Sequence, residues 1–444
     1  MPAPPLHIGI DLGTSGCRAI ALKRTGEIVA RQQQPLPARQ TPELWWQTTH
    51  QLLATLFSRL NQQQAGAVES ITVDGTSSTL LLTDPQGTPL TPALMYNDQR
   101  AIQEAQLIRE VAPPESGAHG PSSSLAKLFW LLRHYPALRN RPLLALHQAD
   151  WISNRLAGHF GQSDENNCLK LGYDPIQRRW PEWIKALTLP AGVLPNVGAP
   201  AAPYGTLTPE LTAAWGVNQS SPITICRGTT DSVAAAVAAG VSQEGDAVTS
   251  LGSTLVLKIL SSVPLFAAKY GIYSHRLGEQ WLISGASNAG GATLLNHFSI
   301  EQIRSLSENI STDNPTMLNY YPLPASGERF PISDPNYPPQ LSPRPREDHR
   351  FLQGMLEGLS RIEQQGYQKM VELGAPPPGK IYSAGGGSQN QPWMQIRQRL
   401  IDVPIVLSQH PDAAYGAAWL TMREWPESRE IRSIVPFNSS KNSY

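Results

Sequence analysis

The sequence has little that would attract nucleic acid or a membrane. Charged residues make up only 16% of its 444 residues, and 35 lysines and arginines balance 35 aspartates and glutamates. Without a net basic charge, the chain lacks the electrostatic field that draws nucleic acid or an anionic lipid surface. No apolar run approaches the roughly 20 residues that a membrane-spanning helix requires. We therefore expect neither nucleic acid nor a membrane as a partner.

Cysteine is also scarce, and the three residues present, Cys17, Cys168 and Cys226, lie far apart. Because the sequence has no CxxC pair, we do not expect a structural zinc site. An odd number of widely spaced cysteines suits a reducing compartment better than a disulfide framework. The N-terminus lacks the basic and apolar segments of a signal peptide, so we expect a cytoplasmic protein.

Two common nucleotide-binding signatures are missing. The sequence contains no Walker P-loop (GxxxxGK[ST]), and no Rossmann fingerprint follows its first predicted strand. Phosphate binding by this chain would therefore need another structure. Hairpin turns rich in Gly, Ser and Thr are one such structure, because they point several backbone N–H groups in one direction and add hydroxyl donors.

The first turn of this kind lies in IGIDLGTSGCRAIAL, residues 8–22. Two apolar runs, which predict strands, flank a turn that contains Asp11, Gly13 and Thr14. A polar strand end is the purely structural explanation of Asp11. The functional explanation is a site in which the turn binds phosphate and Asp11 binds Mg²⁺, since magnesium in phosphoryl transfer usually takes one or two carboxylates.

The same pattern recurs in AVTSLGSTLVLKIL, residues 247–260, a little over half the chain further on. A period of this length is not that of a solenoid. It predicts two similar lobes, each with one hydroxyl-glycine hairpin, and a ligand site in the cleft between them. A third glycine cluster, in IYSAGGGSQNQPWMQIRQRL (residues 381–400), joins a predicted strand to a predicted helix, an arrangement that can hold an anion or a flat ligand against the backbone.

An aspartate at the start of a predicted helix is the candidate for proton transfer. In CRGTTDSVAAAVAAG, Asp231 follows a Gly-Thr-Thr turn and precedes an alanine-rich helix. Thr230 or Asp231 would make a good N-cap, which is the structural explanation. The functional explanation is a carboxylate whose pKa is lowered by the helix dipole and which accepts a proton from an alcohol attacking phosphorus. The segment by itself favours neither explanation.

The remaining patterns are less specific. TPELWWQTTHQLLATLFSRL, residues 41–60, has apolar residues at helical spacing and Thr41 as an N-cap. Together with the predicted strands, it indicates an α/β protein. Ser77 and Ser78, in DGTSSTLLL, suit either hydrogen bonds to a sugar or a solvated turn. The spacing of Asp98 and Arg100 favours a surface ion pair.

Taken in chain order, the motifs resemble those of the FGGY carbohydrate kinases. The resemblance rests on GIDLGTSGCRA, SLAKLFWLLRH, QADWISNRLAG, SDENNCLKLGYD, GTTDS, TSLGSTLVLK and AGGGSQNQPWMQI. It implies two actin-like (ribonuclease H-like) α/β lobes of the sugar kinase, heat-shock chaperone and actin superfamily around a central cleft. The N-terminal, sugar-binding lobe would comprise residues 1–238 and 412–444, and the C-terminal, ATP-binding lobe residues 239–411.

The same resemblance implies roles for individual residues. Asp231 would be the general base, and Asp11 would help to bind Mg²⁺. The expected sugar contacts are Asp11, Ser15, Gly16, Ser77 and Asp231. The residues expected to line the phosphates of ATP are Gly13, Thr14, Gly252, Ser253 and Thr254. Those expected around the adenosine are Gly385, Gly386, Asn390 and Trp393.

The short length of the chain and the loops VDGTSSTLLL, ASNAGGATL and YYPLPASGERFP are most similar to the compact D-ribulose kinases of plants and cyanobacteria. This similarity implies phosphorylation of the terminal hydroxyl of D-ribulose by Mg-ATP, by a monomer or homodimer. D-Xylulose, another ketose or a polyol are alternative acceptors, although residues 76–78 (Thr-Ser-Ser) stand where typical xylulose kinases have a Gln-Met-His loop. The alternative that is not a kinase is a chaperone-like or regulatory protein that binds ATP.

Overall fold

The computed structural model describes residues 3–217 and 221–422. The strands are β1 (Leu6–Leu12), β2 (Gly16–Lys23), β3 (Ile28–Pro35), β4 (Val68–Gly75), β5 (Leu80–Thr83), β6 (Leu144–His147), β7 (Gln162–Asp164), β8 (Asn196–Gly198), β9 (Pro203–Thr206), β10 (Thr224–Thr230), β11 (Asp246–Leu251), β12 (Leu255–Ser261), β13 (Tyr273–Leu277), β14 (Gln280–Ala286), β15 (Lys380–Ala384) and β16 (Ile405–Leu407). The helices are α1 (Pro42–Ser58), α2 (Gln62–Gly66), α3 (Ile102–Val111), α4 (Ser124–His134), α5 (Gln148–Ala157), α6 (Glu165–Cys168), α7 (Glu182–Lys185), α8 (Pro209–Ala214), α9 (Asp231–Ala239), α10 (Gly291–Leu295), α11 (Ile300–Ser307), α12 (Asp348–Glu372), α13 (Gln391–Leu400) and α14 (Ala413–Leu420).

Two six-stranded sheets in this part of the chain share one strand arrangement. The first has the order β3-β2-β1-β4-β10-β9, and the second has the order β13-β14-β12-β11-β15-β16. In each sheet, an antiparallel hairpin (β1–β2 or β11–β12) is extended by an antiparallel strand on one side and by two parallel strands on the other. The order β3-β2-β1-β4-β10 therefore corresponds to β14-β12-β11-β15-β16. The predicted α/β fold of two lobes is confirmed.

The first sheet is covered by the helix predicted from residues 41–60. The side chain of Thr41 accepts a hydrogen bond from the backbone N–H of Leu44 at 3.2 Å, which confirms the predicted N-cap. Leu52, Leu53 and Leu56 are buried in the hydrophobic core of this lobe. Truncation of one buried leucine to alanine typically lowers the free energy of unfolding by about 2–5 kcal/mol. This face of the helix therefore contributes substantially to the stability of the lobe.

The helix α14, near the end of the described chain, packs against the first sheet. A Cβ added to Gly9 on β1 would lie 1.9 Å from the carbonyl oxygen of Ala414, and one added to Gly416 would lie 1.8 Å from that of Ala234 on α9. Glycine at both positions lets three backbones approach this closely. The lobe boundaries at 238 and 412 stay predictions, and residues 423–444 lie outside the described residues.

The described residues contain no helix that combines the length and the apolar character needed to cross a bilayer. The three cysteines are free thiols, and all three are buried. Burial raises the pKa of Cys17 and of Cys226 to about 12, so these thiols stay protonated and unreactive at neutral pH.

Candidate active site

Three neighbouring parallel strands of the first sheet end in acidic residues. Asp11 lies near the end of β1 and Asp74 near the end of β4, and the register pairs these two residues directly. Asp231 follows β10, the next parallel strand, as the first residue of α9. The carboxyl ends of parallel strands are a frequent place for ligand sites. Asp11, Gly13 and Asp231 line one cavity of about 340 Å³. The structure therefore brings together the carboxylate predicted to bind Mg²⁺ and the carboxylate predicted to act as general base.

Asp11 is held by an arginine of its own hairpin. Its Oδ2 accepts a hydrogen bond from Nη1 of Arg18 at 3.0 Å, and Arg18 Nε lies 3.8 Å from Oδ1 of Asp412. Burial raises the pKa of Asp11, and the guanidinium of Arg18 opposes that increase. Arg18 thus supplies positive charge beside the turn predicted to bind phosphate. The sequence motif contained Arg18, but sequence reasoning assigned it no role.

Asp74 is fully buried, and neither of its carboxylate oxygens receives a hydrogen bond from a donor in the described residues. Burial, together with the negative charges of Asp11 and Asp231, raises the pKa of Asp74 well above its usual range. These surroundings favour the neutral form of Asp74. Sequence reasoning missed it, because its pairing with Asp11 depends on a strand order that no local pattern encodes.

Asp231 begins α9, with Thr230 at the N-cap position. The side chain of Thr230 makes no capping hydrogen bond to the described residues, and Oδ1 of Asp231 accepts a bond from the N–H of Ser232 at 2.7 Å. Burial and the negative charge of Asp11 raise the pKa of Asp231 to about 6, against the opposing effects of the Ser232 N–H and of Lys258. The prediction that the helix dipole lowers this pKa was wrong, because the cost of burying the charge exceeds the effect of the dipole.

Lys258, on β12 of the second sheet, lies against the start of α9. Its Nζ donates a hydrogen bond to Oγ of Ser232 at 3.1 Å, and the side chain is buried. Burial lowers the pKa of Lys258 to about 8, while the carboxylate of Asp231 opposes that decrease. The second sheet therefore places a positive charge next to the predicted base. The sequence analysis included Lys258 in the second hairpin motif, but its neighbour in the fold was not visible in the sequence.

The first glycine-hydroxyl turn is closed by its own backbone. The N–H of Gly13 donates to the carbonyl of Gly16 at 3.0 Å, and Gly16 is the first residue of β2. The side chains of Thr14 and Ser15 between them are exposed. Their hydroxyls are thus free to meet a ligand, and the predicted contacts of Thr14 with phosphate and of Ser15 and Gly16 with sugar stay predictions.

The second turn is held by the start of α10. Gly252, Ser253 and Thr254 join β11 to β12, and the N–H of Gly291 donates to the carbonyl of Gly252 at 2.8 Å. A Cβ added to Gly290 would lie 2.5 Å from the carbonyl oxygen of Ser253, so only glycine allows this close packing. The turn is therefore fixed in position, as a phosphate-binding turn would need to be, and its contact with ATP stays a prediction.

The third glycine cluster borders a second cavity. Gly386 and Asn390 line a space of about 510 Å³ together with residues of α11. Oδ1 of Asn390 caps α13 by accepting a hydrogen bond from the N–H of Trp393 at 3.0 Å, and its Nδ2 donates to Oγ of Ser307 at 2.8 Å. The structure thus joins two of the residues predicted to surround adenosine.

The other two residues of that predicted set, Gly385 and Trp393, are not among the residues that line this cavity. Gly385 has a φ of 82°, and a Cβ there would lie 2.9 Å from the carbonyl of Leu251, so the position requires glycine. Trp393 is only 2% exposed, and its ring packs in the core of the second lobe. Contact of either residue with adenosine stays a prediction.

Ser77 and Ser78, which follow β4 and were considered as sugar contacts, lie in a tight loop. Ser77 is half-buried, and the neighbouring Ser78 is buried with a φ of 67°. The predicted ion pair between Asp98 and Arg100 is confirmed, since Oδ1 of Asp98 accepts a hydrogen bond from Nε of Arg100 at 2.9 Å. The carboxylate of Asp98 is therefore paired with the guanidinium of Arg100.

Residues 3–217 and 221–422 contain no group of three or more His, Cys, Asp or Glu side chains that could hold a metal ion. The carboxylate of Asp11 lines the 340 Å³ cavity together with those of Asp231 and Asp412, and Asp11 is the donor predicted to bind Mg²⁺. One carboxylate combined with phosphate oxygens and water is the ligand set that magnesium usually takes at phosphoryl-transfer sites, so the residues present fit this ion.

Comparison with protein families gives a match over nearly the whole chain. Residues 6–238 match the N-terminal domain of the FGGY family of carbohydrate kinases, and residues 247–425 match its C-terminal domain. Xylulose kinase of Escherichia coli (strain K12) is 27% identical over 420 residues, which cover 90% of this chain and 84% of that protein. L-fuculokinase of Salmonella typhi is 26% identical over 465 residues, which cover 96% and 95%.

Solved structures of the same fold agree with this result. The structure titled as a xyloylose kinase from Brucella ovis superposes with a TM-score of 0.83 at 23% identity, covering 94% of this chain and 90% of that one. A glycerol kinase from Plasmodium falciparum with ADP superposes with a TM-score of 0.81 at 16% identity, covering 94% and 89%. At these identities, the superpositions establish the two-lobed fold.

Proposed function

Because the chain belongs to the FGGY family of carbohydrate kinases, we propose that its acceptor is a ketopentose, with D-ribulose phosphorylated on its terminal hydroxyl to D-ribulose 5-phosphate. The chain is an ATP-dependent carbohydrate kinase. The observation that carries the proposed mechanism is the single cavity lined by Asp11, Gly13 and Asp231. The candidate base, the candidate metal ligand and a residue of the first glycine turn all line this cavity, which supports the proposed mechanism.

Asp231 is the proposed general base. Its carboxylate accepts the proton of the primary hydroxyl while the oxygen attacks the γ-phosphorus of ATP, and ADP leaves. A pKa of about 6 suits this role, because the group is mostly ionised at neutral pH and still basic enough to accept a proton. The N–H of Ser232 fixes one carboxylate oxygen, and Lys258 keeps a positive charge nearby.

Asp11 is the proposed protein ligand of Mg²⁺. When bound, the ion neutralises the charge that develops on the transferred phosphoryl group. The hydrogen bond from Arg18 orients the carboxylate of Asp11. The proposed phosphate contacts are the backbone and hydroxyl groups of the two glycine turns, Gly13, Thr14, Gly252, Ser253 and Thr254, and the proposed adenosine contacts are Gly385, Gly386, Asn390 and Trp393.

The preference for D-ribulose rests on the loop after β4. Thr76, Ser77 and Ser78 carry small hydroxyl side chains, but those of Thr76 and Ser78 are buried. Half-buried Ser77 is therefore the proposed sugar contact in this loop, in addition to Ser15 and Gly16 of the first turn. D-Xylulose is the second candidate, since several relatives of this chain are xylulose kinases. The proposal includes action in the cytoplasm as a monomer or homodimer.

The test is a panel of D-ribulose, D-xylulose, L-ribulose and glycerol, each scored by kcat/KM from ADP release. The expected result is the highest kcat/KM for D-ribulose, with phosphorus NMR identifying the 5-phosphate as product. A higher kcat/KM for D-xylulose would replace the first candidate by the second. A higher value for glycerol would overturn the assignment to ketopentoses.

A further inference from the structure

The amine of one buried lysine joins two loops of the first lobe. Lys127, on α4, has no exposed surface. Its Nζ donates hydrogen bonds to the carbonyl oxygens of Ser78 at 2.8 Å, Met95 at 2.7 Å and Tyr96 at 3.3 Å. An ammonium group has three donors. All three are therefore used on backbone acceptors, and none is left for a ligand.

The first of these loops contains Ser77 and needs support. Ser78 has a φ of 67°, a conformation that is unfavourable for any residue except glycine, and its buried hydroxyl has no hydrogen-bond partner among the described residues. On the other side of Ser77, Oε1 of Gln148 accepts bonds from N and Oγ1 of Thr76 at 3.1 and 2.8 Å. The loop is thus fixed from both sides, by Gln148 before Ser77 and by Lys127 after it.

The second loop is the turn from Met95 to Asp98. The N–H of Asp98 donates to the carbonyl of Met95 at 3.0 Å, and this is the same carbonyl that accepts a hydrogen bond from Lys127. Burial lowers the pKa of Lys127 to about 7, with Lys170 acting in the same direction and Asp98 opposing it. A buried amine is costly unless it is fully hydrogen-bonded, and the three backbone carbonyls of these two loops supply those hydrogen bonds.

We propose that Lys127 is a positioning residue for sugar binding, which fixes the loop of Ser77 relative to the turn that ends at Asp98. It acts through these two loops and touches neither the sugar nor ATP. The inference rests on the proposed function, because Ser77 contacts a sugar only if the chain is the sugar kinase described above. A lysine with a purely structural role would lower the stability of the lobe without changing the KM for one substrate selectively.

The experiment compares Lys127→Met and Lys127→Gln with the wild type. The KM for the preferred sugar is expected to rise about tenfold or more in Lys127→Met, while the KM for ATP stays within about twofold. Lys127→Gln keeps part of the donor capacity and is expected to show a smaller increase. Leu132→Ala is the control, because Leu132 is buried on the same helix in the hydrophobic core. This variant is expected to lower the melting temperature and to keep both KM values.

Each other outcome is decisive. Unchanged KM values in a folded Lys127→Met, or an equal rise in both, would overturn the inference. Failure of both Lys127 variants to fold, with Leu132→Ala folded, would also overturn it, because the lysine would then act in folding. A wild-type enzyme that phosphorylates no ketopentose defeats the proposed function instead, and the Lys127 variants are then compared on whichever polyol or aldose it does phosphorylate.

Discussion

Asp11 and Asp74 are paired in register on two parallel strands, yet the surroundings of their carboxyl groups differ. Asp11 has the guanidinium of Arg18 on one of its oxygens, whereas Asp74 has no hydrogen-bond donor in the described part of the chain. Burial beside the negative charges of Asp11 and Asp231 raises the pKa of Asp74 well above its usual range, which favours its neutral form. We therefore expect Asp11, rather than Asp74, to be the charged, metal-binding carboxylate of this pair.

A comparison of Asp74→Asn with Asp11→Asn tests this division. Asparagine resembles the neutral form of Asp74, so Asp74→Asn is expected to keep kcat/KM within about tenfold. Asp11→Asn removes the charge that attracts Mg²⁺ and is expected to lower kcat/KM by about 100-fold or more, with a higher Mg²⁺ concentration needed for half-maximal rate. Equal losses in the two variants would show that Asp74 works as a charged group.

The pH profile tests the electrostatic role of Lys258. Asp231 must be ionised to accept a proton, so kcat/KM is expected to rise with pH and to reach half of its plateau near the pKa of about 6. Lys258→Met removes a positive charge that favours the ionised form, so the acid limb is expected to move to higher pH. Lys258→Arg keeps the positive charge, so its acid limb is expected to lie closer to that of the wild type than the limb of Lys258→Met does. Lys185→Met, at an exposed lysine of α7, is the control.

The cavity beside α13 is tested by filling it. A Cβ added to Gly386 meets no atom within 4 Å, so Gly386→Val is expected to fold normally and to occupy space in that cavity. We expect the KM for ATP to rise by about tenfold or more while the KM for sugar stays unchanged. Gly379→Val, at another glycine whose added Cβ meets no atom, is the matched control. An unchanged KM for ATP in Gly386→Val would place adenosine elsewhere.

The fold could be predicted from the sequence because its main signals are local. The apolar runs before and after Gly13 and Gly252 predict the two hairpins, and the repetition of that pattern predicts two similar lobes. Thr41 and the apolar spacing after it likewise predict α1. Each hairpin and the helix is indicated within about 20 residues of sequence, and only the comparison of the two hairpins extends over most of the chain.

The site was less predictable, because its chemistry depends on contacts between distant segments. The pairing of Asp74 with Asp11 follows from the order of β1 and β4, and the approach of Lys258 to Asp231 follows from the packing of two lobes. The pKa of Asp231 was predicted in the wrong direction because sequence shows a helix start but not the burial around it. Trp393 shows the same limit, because the sequence does not distinguish an aromatic residue that packs in a core from one that contacts a ligand.

The most direct test of the proposed mechanism is the rate of sugar-dependent ADP release by Asp231→Asn. If Asp231 is the general base, kcat falls by about 10²–10⁴-fold, while calorimetry shows ADP binding with a wild-type Kd. Asp402→Asn, at an exposed aspartate, keeps the wild-type rate. A kcat near the wild-type value in Asp231→Asn would contradict the account.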